Sequence, residues 1–525
     1  MRPQLTTALR ALMIAALLTT TVACGGNDEG SSLHSTGAQN RSSGEQSDLN
    51  NTYYPGADTD GGVTSPSPIS DYQPKETFED VPENDFIDAQ TENTSTFSID
   101  VDNASYTITR RDLLNGFLPN EAGVRPEEFI NYFDYDYLEP TDHPFSINLE
   151  AAPSKFGAGK QLLRIGIKGE DIAIADLKPT NLVFLIDVSG SMQSSQKLGL
   201  VKESLRALLE NLRPTDTVGI VIYAGAQGIA LEPTPVSQKS LILSKLDDLR
   251  SGGGTNAEAG IVAAYKMAEQ AKIEGGNNRV IILTDGDFNV GRTGQELIDL
   301  IAEYREKHIS LTCMGYGLGN YNDYHMENLA KEGNGNYFYV DSLEEAERVF
   351  GDALPGTLEV IASDVKIQVE FDKASVKNYR LVGYDNRVLN NEDFRDDTKD
   401  AGEIGPGHTV TAFYELELTD TAAPTDVLSE VRVRYKDQYG VASQEFTRFV
   451  KVANIKASFD EASRDFRWGA AVTEFAEILR HSKHVDTPDL QAVEDTATAA
   501  RPEISAKADE LLQLVGIAKG LWGAK

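Results

Sequence analysis

Leu182 to Ile186 is an unbroken apolar run that stops at Asp187, after which the chain turns at once through Val188-Ser189-Gly190-Ser191-Met192. A run this short, bounded by turn residues, is that of a strand buried on both faces. Such strands belong to parallel sheets covered by helices, so this one stretch restricts the chain to an α/β core. One carboxylate and two hydroxyls then gather in a single turn at the carboxyl end of the strand, where open α/β sheets bind ligands. Their oxygens are of the type that hard cations accept.

The surrounding region keeps the same rhythm. Lys197 to Leu212 spaces Leu198, Val201, Leu205, Leu208, Leu209 and Leu212 along one face of a helix. Val218 to Tyr223 predicts a strand, Ser237 to Leu249 a helix, and the loop S-G-G-G-T-N leads into a further helix ending near Ala271. Arg279 to Leu283 is another buried strand, and it ends in Thr284-Asp285-Gly286. Gln295–Lys307, Asp323–Lys331 and Leu343–Phe350 predict helices, alternating with strands at Ile309–Gly315 and Asn336–Val340. This alternation predicts a doubly wound, parallel-sheet (Rossmann-like) α/β domain over residues 176–356. Cys313 falls inside one of its strands, where a thiol behaves as a small hydrophobe.

The flanks read differently. Ser95 to Asp102 alternates at period 2 as a strand. Ala104 to Leu118 predicts a helix with Leu113, Leu114 and Phe117 on one side. Arg125 to Phe133 predicts a second, with Pro126 in its first turn and Phe129, Ile130 and Phe133 inward. With strands at Phe145–Ala151 and Gln161–Lys168, residues 76–175 form a small α+β module, and Asp134, Asp136 and Glu139 lie in a solvated loop. After Leu354 the helical rhythm ends. Asp364–Phe371, Tyr379–Gly383, Thr409–Leu418, Val427–Tyr435 and Phe446–Val452 predict a β-rich module over 357–453. Residues 454–525 are a helical tail with stripes at Trp468, Val472, Phe475 and Leu479, and at Leu511, Leu514, Val515, Ala518 and Leu521. Few basic residues flank these stripes, so they pack on the parent domain rather than seek a membrane.

At the N-terminus, Arg2 and Arg10 precede the apolar segment Ala11 to Leu18, and Thr-Thr-Thr-Val-Ala leads to Cys24. Residues 1–23 therefore read as a secretory signal. The end of this segment, T-V-A-C-G-G, resembles a bacterial lipobox, with Thr21 where that pattern usually has Leu. The resemblance implies that Cys24 is lipidated, and Gly25 after it implies the outer membrane of a Gram-negative cell; an ordinary cleaved signal and an uncleaved anchor are the competing readings. No other segment reaches ~18 consecutive apolar residues, so lipid would be the anchor of a cell-envelope protein. Residues 24–75, rich in Gly, Ser, Asn, Asp and Thr, bury too little apolar surface to fold and form a disordered acidic tether.

Across the 525 residues, 82 acidic side chains outnumber 48 basic ones, for a net charge of −34. A field of that sign repels nucleic acid and favours cations or basic partners. The two cysteines exclude a disulfide framework and make a thiolate zinc site improbable, and the seven histidines form no metal-binding cluster.

Three loops at strand ends carry oxygen ligands: Asp187, Ser189 and Ser191 in the first, Thr255 in the second, and Asp285 in the third. D-V-S-G-S, G-G-T and T-D-G resemble the metal-ion-dependent adhesion site (MIDAS) of the von Willebrand factor type A (VWA) family. The flanking modules resemble those around the VWA domain in bacterial surface proteins. The resemblance implies a divalent cation, Mg²⁺ first and Mn²⁺ or Ca²⁺ as alternatives. Ser189, Ser191 and Thr255 would contact the metal or its waters, and Asp187 and Asp285 would act directly or through water. Its last ligand would be an acidic side chain of a protein partner.

Rival chemistries fit less well. A phosphatase would need a second acid at Ser189, neither serine lies in a G-x-S-x-G elbow, and the 251–254 loop lacks the lysine of a P-loop. Asp285, Asp287, Asn289 and Glu296 imitate a calcium loop, but Gly291 comes one residue late, leaving Asp287 outside the ligand set. The residues thus predict a binding protein without catalytic residues, with a metal-independent envelope assembly factor as the alternative and a hydrolase behind both.

Overall fold

The structure is a computed structural model that describes residue 78 and residues 81–99, 102–225, 227–254, 257–286, 294–317, 323–399, 401–437, 440, 442–503 and 505–523. The signal, Cys24 and all of the tether lie outside the described residues, as do Thr255, Asp287, Asn289 and Gly291.

The chain begins with strands β1 (Ile87–Asp88) and β2 (Thr94–Ser98), helices α1 (Ala104–Leu114) and α2 (Pro126–Ile130), and strands β3 (Phe145–Pro153) and β4 (Gln161–Gly169). The α/β domain follows: β5 (Thr180–Asp187), α3 (Leu200–Asn211), β6 (Thr217–Tyr223), β7 (Gln227–Pro235), α4 (Lys239–Asp248), α5 (Ala257–Gln270), β8 (Asn277–Thr284), α6 (Gly294–Glu306), β9 (Ser310–Tyr316), α7 (Asp323–Glu332), β10 (Tyr337–Val340) and α8 (Leu343–Phe350). Its sheet runs β10-β9-β8-β5-β6-β7, with β5 at the centre and buried at every position. Leu182, Phe184 and Ile186 point to one side, against Val201 and Leu205 of α3 and Val349 of α8. Val183 and Leu185 point to the other, against Ile261 of α5 and Leu297 of α6. Two-sided burial is why this strand needs an unbroken apolar run.

The sheet is doubly wound as expected but not wholly parallel. β7 returns antiparallel to β6 as the edge strand. Its sequence, Q-G-I-A-L-E-P-T-P, has two prolines and one fully buried hydrophobe, Leu231, so it carries no core-strand signal. Prolines belong on edges because they lack a ladder donor.

The chain continues with α9 (Leu354–Leu358), β11 (Ala362–Phe371), β12 (Val376–Val382), β13 (Val388–Leu389), β14 (Gly402–Ile404), β15 (Thr409–Leu418), β16 (Val427–Asp437), β17 (Ser443–Lys451), α10 (Arg464–Leu479), α11 (Leu490–Ala500) and α12 (Ala506–Trp522). These strands do not form a module apart from residues 76–175. One sheet runs β1-β12-β15-β4-β3 and the other β13-β2-β11-β16-β17, with β14 on β11, so strands from both ends of the chain interleave. Inward side chains such as Ile165, Ile167 and Tyr414 of the first sheet meet Phe97, Ile367 and Val433 of the second. The outer face of the first sheet, at Leu162, Val382 and Phe413, is covered by α1, α2 and α10–α12. Trp468, Val472, Phe475 and Leu479 are buried there, as are Leu511, Leu514, Val515 and Ala518.

The α/β domain is therefore inserted into a sandwich. The chain enters and leaves it side by side, the N–H of Lys178 donating to Glu359 Oε2 at 3.1 Å. Helix α1 differs from its expected one-sided stripe. It is wedged between the α/β sheet and the helical layer, burying Ala104 to Leu113 while Leu114 is 52% exposed.

Candidate cation site and family

β5 pairs in parallel with both β6 and β8, Asp187 standing level with Tyr223 and Ile186 with Leu283. This register sets Asp187 beside Thr284 and carries Asp285 one step further, so both carboxylates reach the same end of the sheet. Asp187 is fully buried. Its Oδ1 accepts the N–H of Ser189 at 2.8 Å, and its Oδ2 accepts the hydroxyls of Thr284 at 3.1 Å and Tyr223 at 3.2 Å. Burial pushes the Asp187 carboxyl above its ordinary value; bonds from Ser189 and Thr284 oppose the rise, and the Asp285 charge adds to it.

The hydroxyls of Ser189 and Ser191 lie 2.9 Å apart and hydrogen-bond each other. The turn is stitched to the Gly-rich loop in two places. Gly252 N–H donates to Val188 O at 2.7 Å, and Gly190 N–H donates to Gly253 O at 3.1 Å. Gly253 has φ +91°, a conformation that disfavours any residue with a Cβ. Thr255 lies outside the described residues, but the loop leading to it is held against the Asp187 turn.

Asp285 is nearly as buried, and its two oxygens differ. Oδ2 accepts from Lys197 Nζ at 2.7 Å. Oδ1 is buried and has no hydrogen-bond partner among the described residues. A buried carboxylate oxygen left unmatched carries a desolvation cost that an added ligand would relieve. With two carboxylates, two hydroxyls and that open oxygen, the donor set fits a hard divalent cation. Among the described residues no group of three or more His, Cys, Asp or Glu side chains could hold a metal. A cation here would rest on two carboxylates plus hydroxyls.

Sequence reading did not identify Tyr223, Thr284 or Lys197 as part of this site. Tyr223 and Thr284 close predicted strands, so the sheet-end rule could have found them. The leucine spacing puts Lys197 in the first turn of a regular helix, and nothing in that spacing marks it.

Residues 181–352 match the von Willebrand factor type A domain family, residues 356–521 the family described as uncharacterized protein YfbK, C-terminal, and residues 72–164 the family described as von Willebrand factor. Uncharacterized protein YfbK of Escherichia coli (strain K12) is 36% identical to this chain over 454 residues, which covers 81% of this chain and 78% of that protein. The chain belongs to the YfbK family of VWA-domain proteins. A more distant likeness is to human inter-alpha-trypsin inhibitor heavy chain H4, 31% identical over 149 residues, covering 26% of this chain and 16% of that protein. Among solved structures, a von Willebrand factor type A protein from Catenulispora acidiphila superposes with a TM-score of 0.42 at 14% identity, covering 72% of this chain and 91% of that one. VWA-domain proteins mediate protein interactions, often through a metal ion. VWA domains commonly bind a divalent cation as well.

Proposed function

We propose that the protein is a cell-envelope lipoprotein, anchored through Cys24, whose VWA domain grips an acidic side chain of a protein ligand through a divalent cation, Mg²⁺ before Mn²⁺ or Ca²⁺. The observation that carries this reading is the buried Oδ1 of Asp285, without a hydrogen-bond partner among the described residues, at the sheet end that also carries the paired hydroxyls of Ser189 and Ser191. Asp187, Ser189, Ser191, Thr255 and Asp285 would hold the ion. When bound, such an ion supplies an exchangeable position for an anionic oxygen.

Isothermal titration of the full chain with Mg²⁺ and Mn²⁺ tests the metal. Asp187→Ala should abolish binding; equal heats in the variant would sink the claim. For the anchor, Cys24→Ser should move the protein from the membrane fraction to the soluble one. Among the described residues no helix is long and apolar enough to cross a membrane.

One observation favours a metal-independent scaffold: Lys197 already neutralises one oxygen of Asp285. Capture of a binding partner from envelope preparations with and without EDTA separates the readings, because a partner kept in EDTA needs no cation.

A further inference from the structure

We propose that Lys197 is a built-in counter-cation of the metal site, one that weakens binding of the ion alone and strengthens binding of a carboxylate to the loaded site. The inference rests on the cation reading above and concerns how that site is controlled. Three features of the fold place Lys197 there rather than in solvent. Ser195 to Gly199 forms one π-helical turn ahead of α3, with Gly199 N–H bonding Ser194 O at 3.2 Å. A π turn adds a residue to the helix and re-aims the side chains within it. The lysine stem then crosses Gly317, at the end of β9, so closely that a Cβ there would lie 2.4 Å from Lys197 Cγ and 2.5 Å from Cε. Finally, Nζ reaches Asp285 Oδ2 at 2.7 Å, with only 16% of the lysine side chain exposed. A flexible lysine has been given a fixed path and, among the described residues, a single carboxylate.

The consequence follows from charge. Asp187 and Asp285 carry two negative charges and Lys197 one positive, so the empty site is singly negative. A divalent cation makes it singly positive. Without Lys197 the loaded site would be neutral. The ammonium therefore repels the incoming ion, competes with it for Asp285, and then attracts the anionic ligand that completes its coordination. Ion and ligand become mutually dependent: each binds the empty site poorly, and each raises the affinity of the other by the same factor.

The test is a Mn²⁺ titration of the full chain followed by electron paramagnetic resonance, with a short polyglutamate peptide as carboxylate probe. Lys197→Met keeps the stem over Gly317 and removes the charge. In the absence of peptide it should bind Mn²⁺ about tenfold more tightly than the wild type, as expected for loss of a like charge in contact with the site. Polyglutamate should raise Mn²⁺ affinity several-fold in the wild type and in Lys197→Arg, and much less in Lys197→Met. Lys197→Gln serves if the methionine variant does not fold, judged by its unfolding midpoint. If the variant binds Mn²⁺ no more tightly, or gains equally from the peptide, while Asp285→Asn loses Mn²⁺, the cation site stands and Lys197 has no such role. If neither the wild type nor Lys197→Met binds Mn²⁺, the cation reading fails and takes the role of Lys197 with it.

Discussion

Gly317 shows how tightly single residues are held around the carboxylate pair. Its φ of +88° already disfavours a side chain, and the Lys197 stem fills the space a Cβ would need. Gly317→Ala should therefore cost about 1–3 kcal/mol, measured by urea unfolding. Lys197→Ala in the same chain should recover the steric part of that loss but leave the backbone strain. At this scale the sequence was informative about chemistry and silent about aim. Asp187, Ser189, Ser191 and Asp285 stood out because oxygen donors followed buried apolar runs. Lys197 did not, because a lysine one turn into a helix ordinarily faces solvent and only the π turn redirects it.

Among the elements, α1 departs furthest from its sequence. Its apolar residues suggested a single buried stripe, yet nearly every position is covered because the helix separates two layers. Burial on the polar side is made tolerable by ion pairs. Arg110 Nε donates to Asp341 Oδ2 at 2.9 Å, and its Nη atoms reach the Tyr132 hydroxyl at 2.7 Å and the carboxylates of Glu345 and Glu510 at 3.3 Å. One guanidinium thus joins α1 to α8 of the VWA domain and to α12 of the tail. Arg110→Ala would strand buried carboxylates, and the expected loss is about 3–5 kcal/mol in denaturant titration. Restoring the charge as Arg110→Lys should recover only part, because an ammonium cannot bridge three elements with a planar fork. Helices and strands with strong periodicity, α3, β5 and β8 among them, were legible from the sequence to within a few residues. β7 was not, because Leu231 is its one buried hydrophobe and a single buried hydrophobe leaves no pattern.

For the whole molecule, the interleaving of strands matters most. Because β1–β4 share sheets with β11–β17, residues 78–175 alone lack the partners that complete either sheet and should remain unfolded, giving no dispersed NMR spectrum. Replacing residues 179–358 with a short Gly-Ser linker should instead leave the sandwich folded, since Lys178 and Glu359 already touch; loss of its cooperative unfolding would contradict that. Glu474 of α10 adds a pH dependence. Burial, then the charges of Glu477 and Glu415, push its carboxyl up to about 8 from an ordinary 4.5. The folded protein thus keeps a proton that the unfolded chain has released, so its stabilising effect is complete below about pH 4.5 and lost as pH rises toward about 8. Glu474→Gln should flatten this decline, which would otherwise reach a few kcal/mol at ~1.4 kcal/mol per unit. Urea midpoints at about pH 5 and about pH 9 provide the measurement.

By itself the sequence determined the VWA domain and singled out the carboxylates and hydroxyls at its strand ends, because a strand buried on both faces must be apolar throughout and the residues ending it are then conspicuous. Only the tertiary structure decided that the flanking segments form one sandwich around that domain, that α1 is a wedge, and that Lys197 faces Asp285. Each of these depends on pairing between residues far apart in the chain, and local periodicity records that a residue is buried but not which distant segment buries it. Asp187 and Asp285 carry their chemistry in their own side chains; the charge balance between them is set by a lysine that the fold alone delivers.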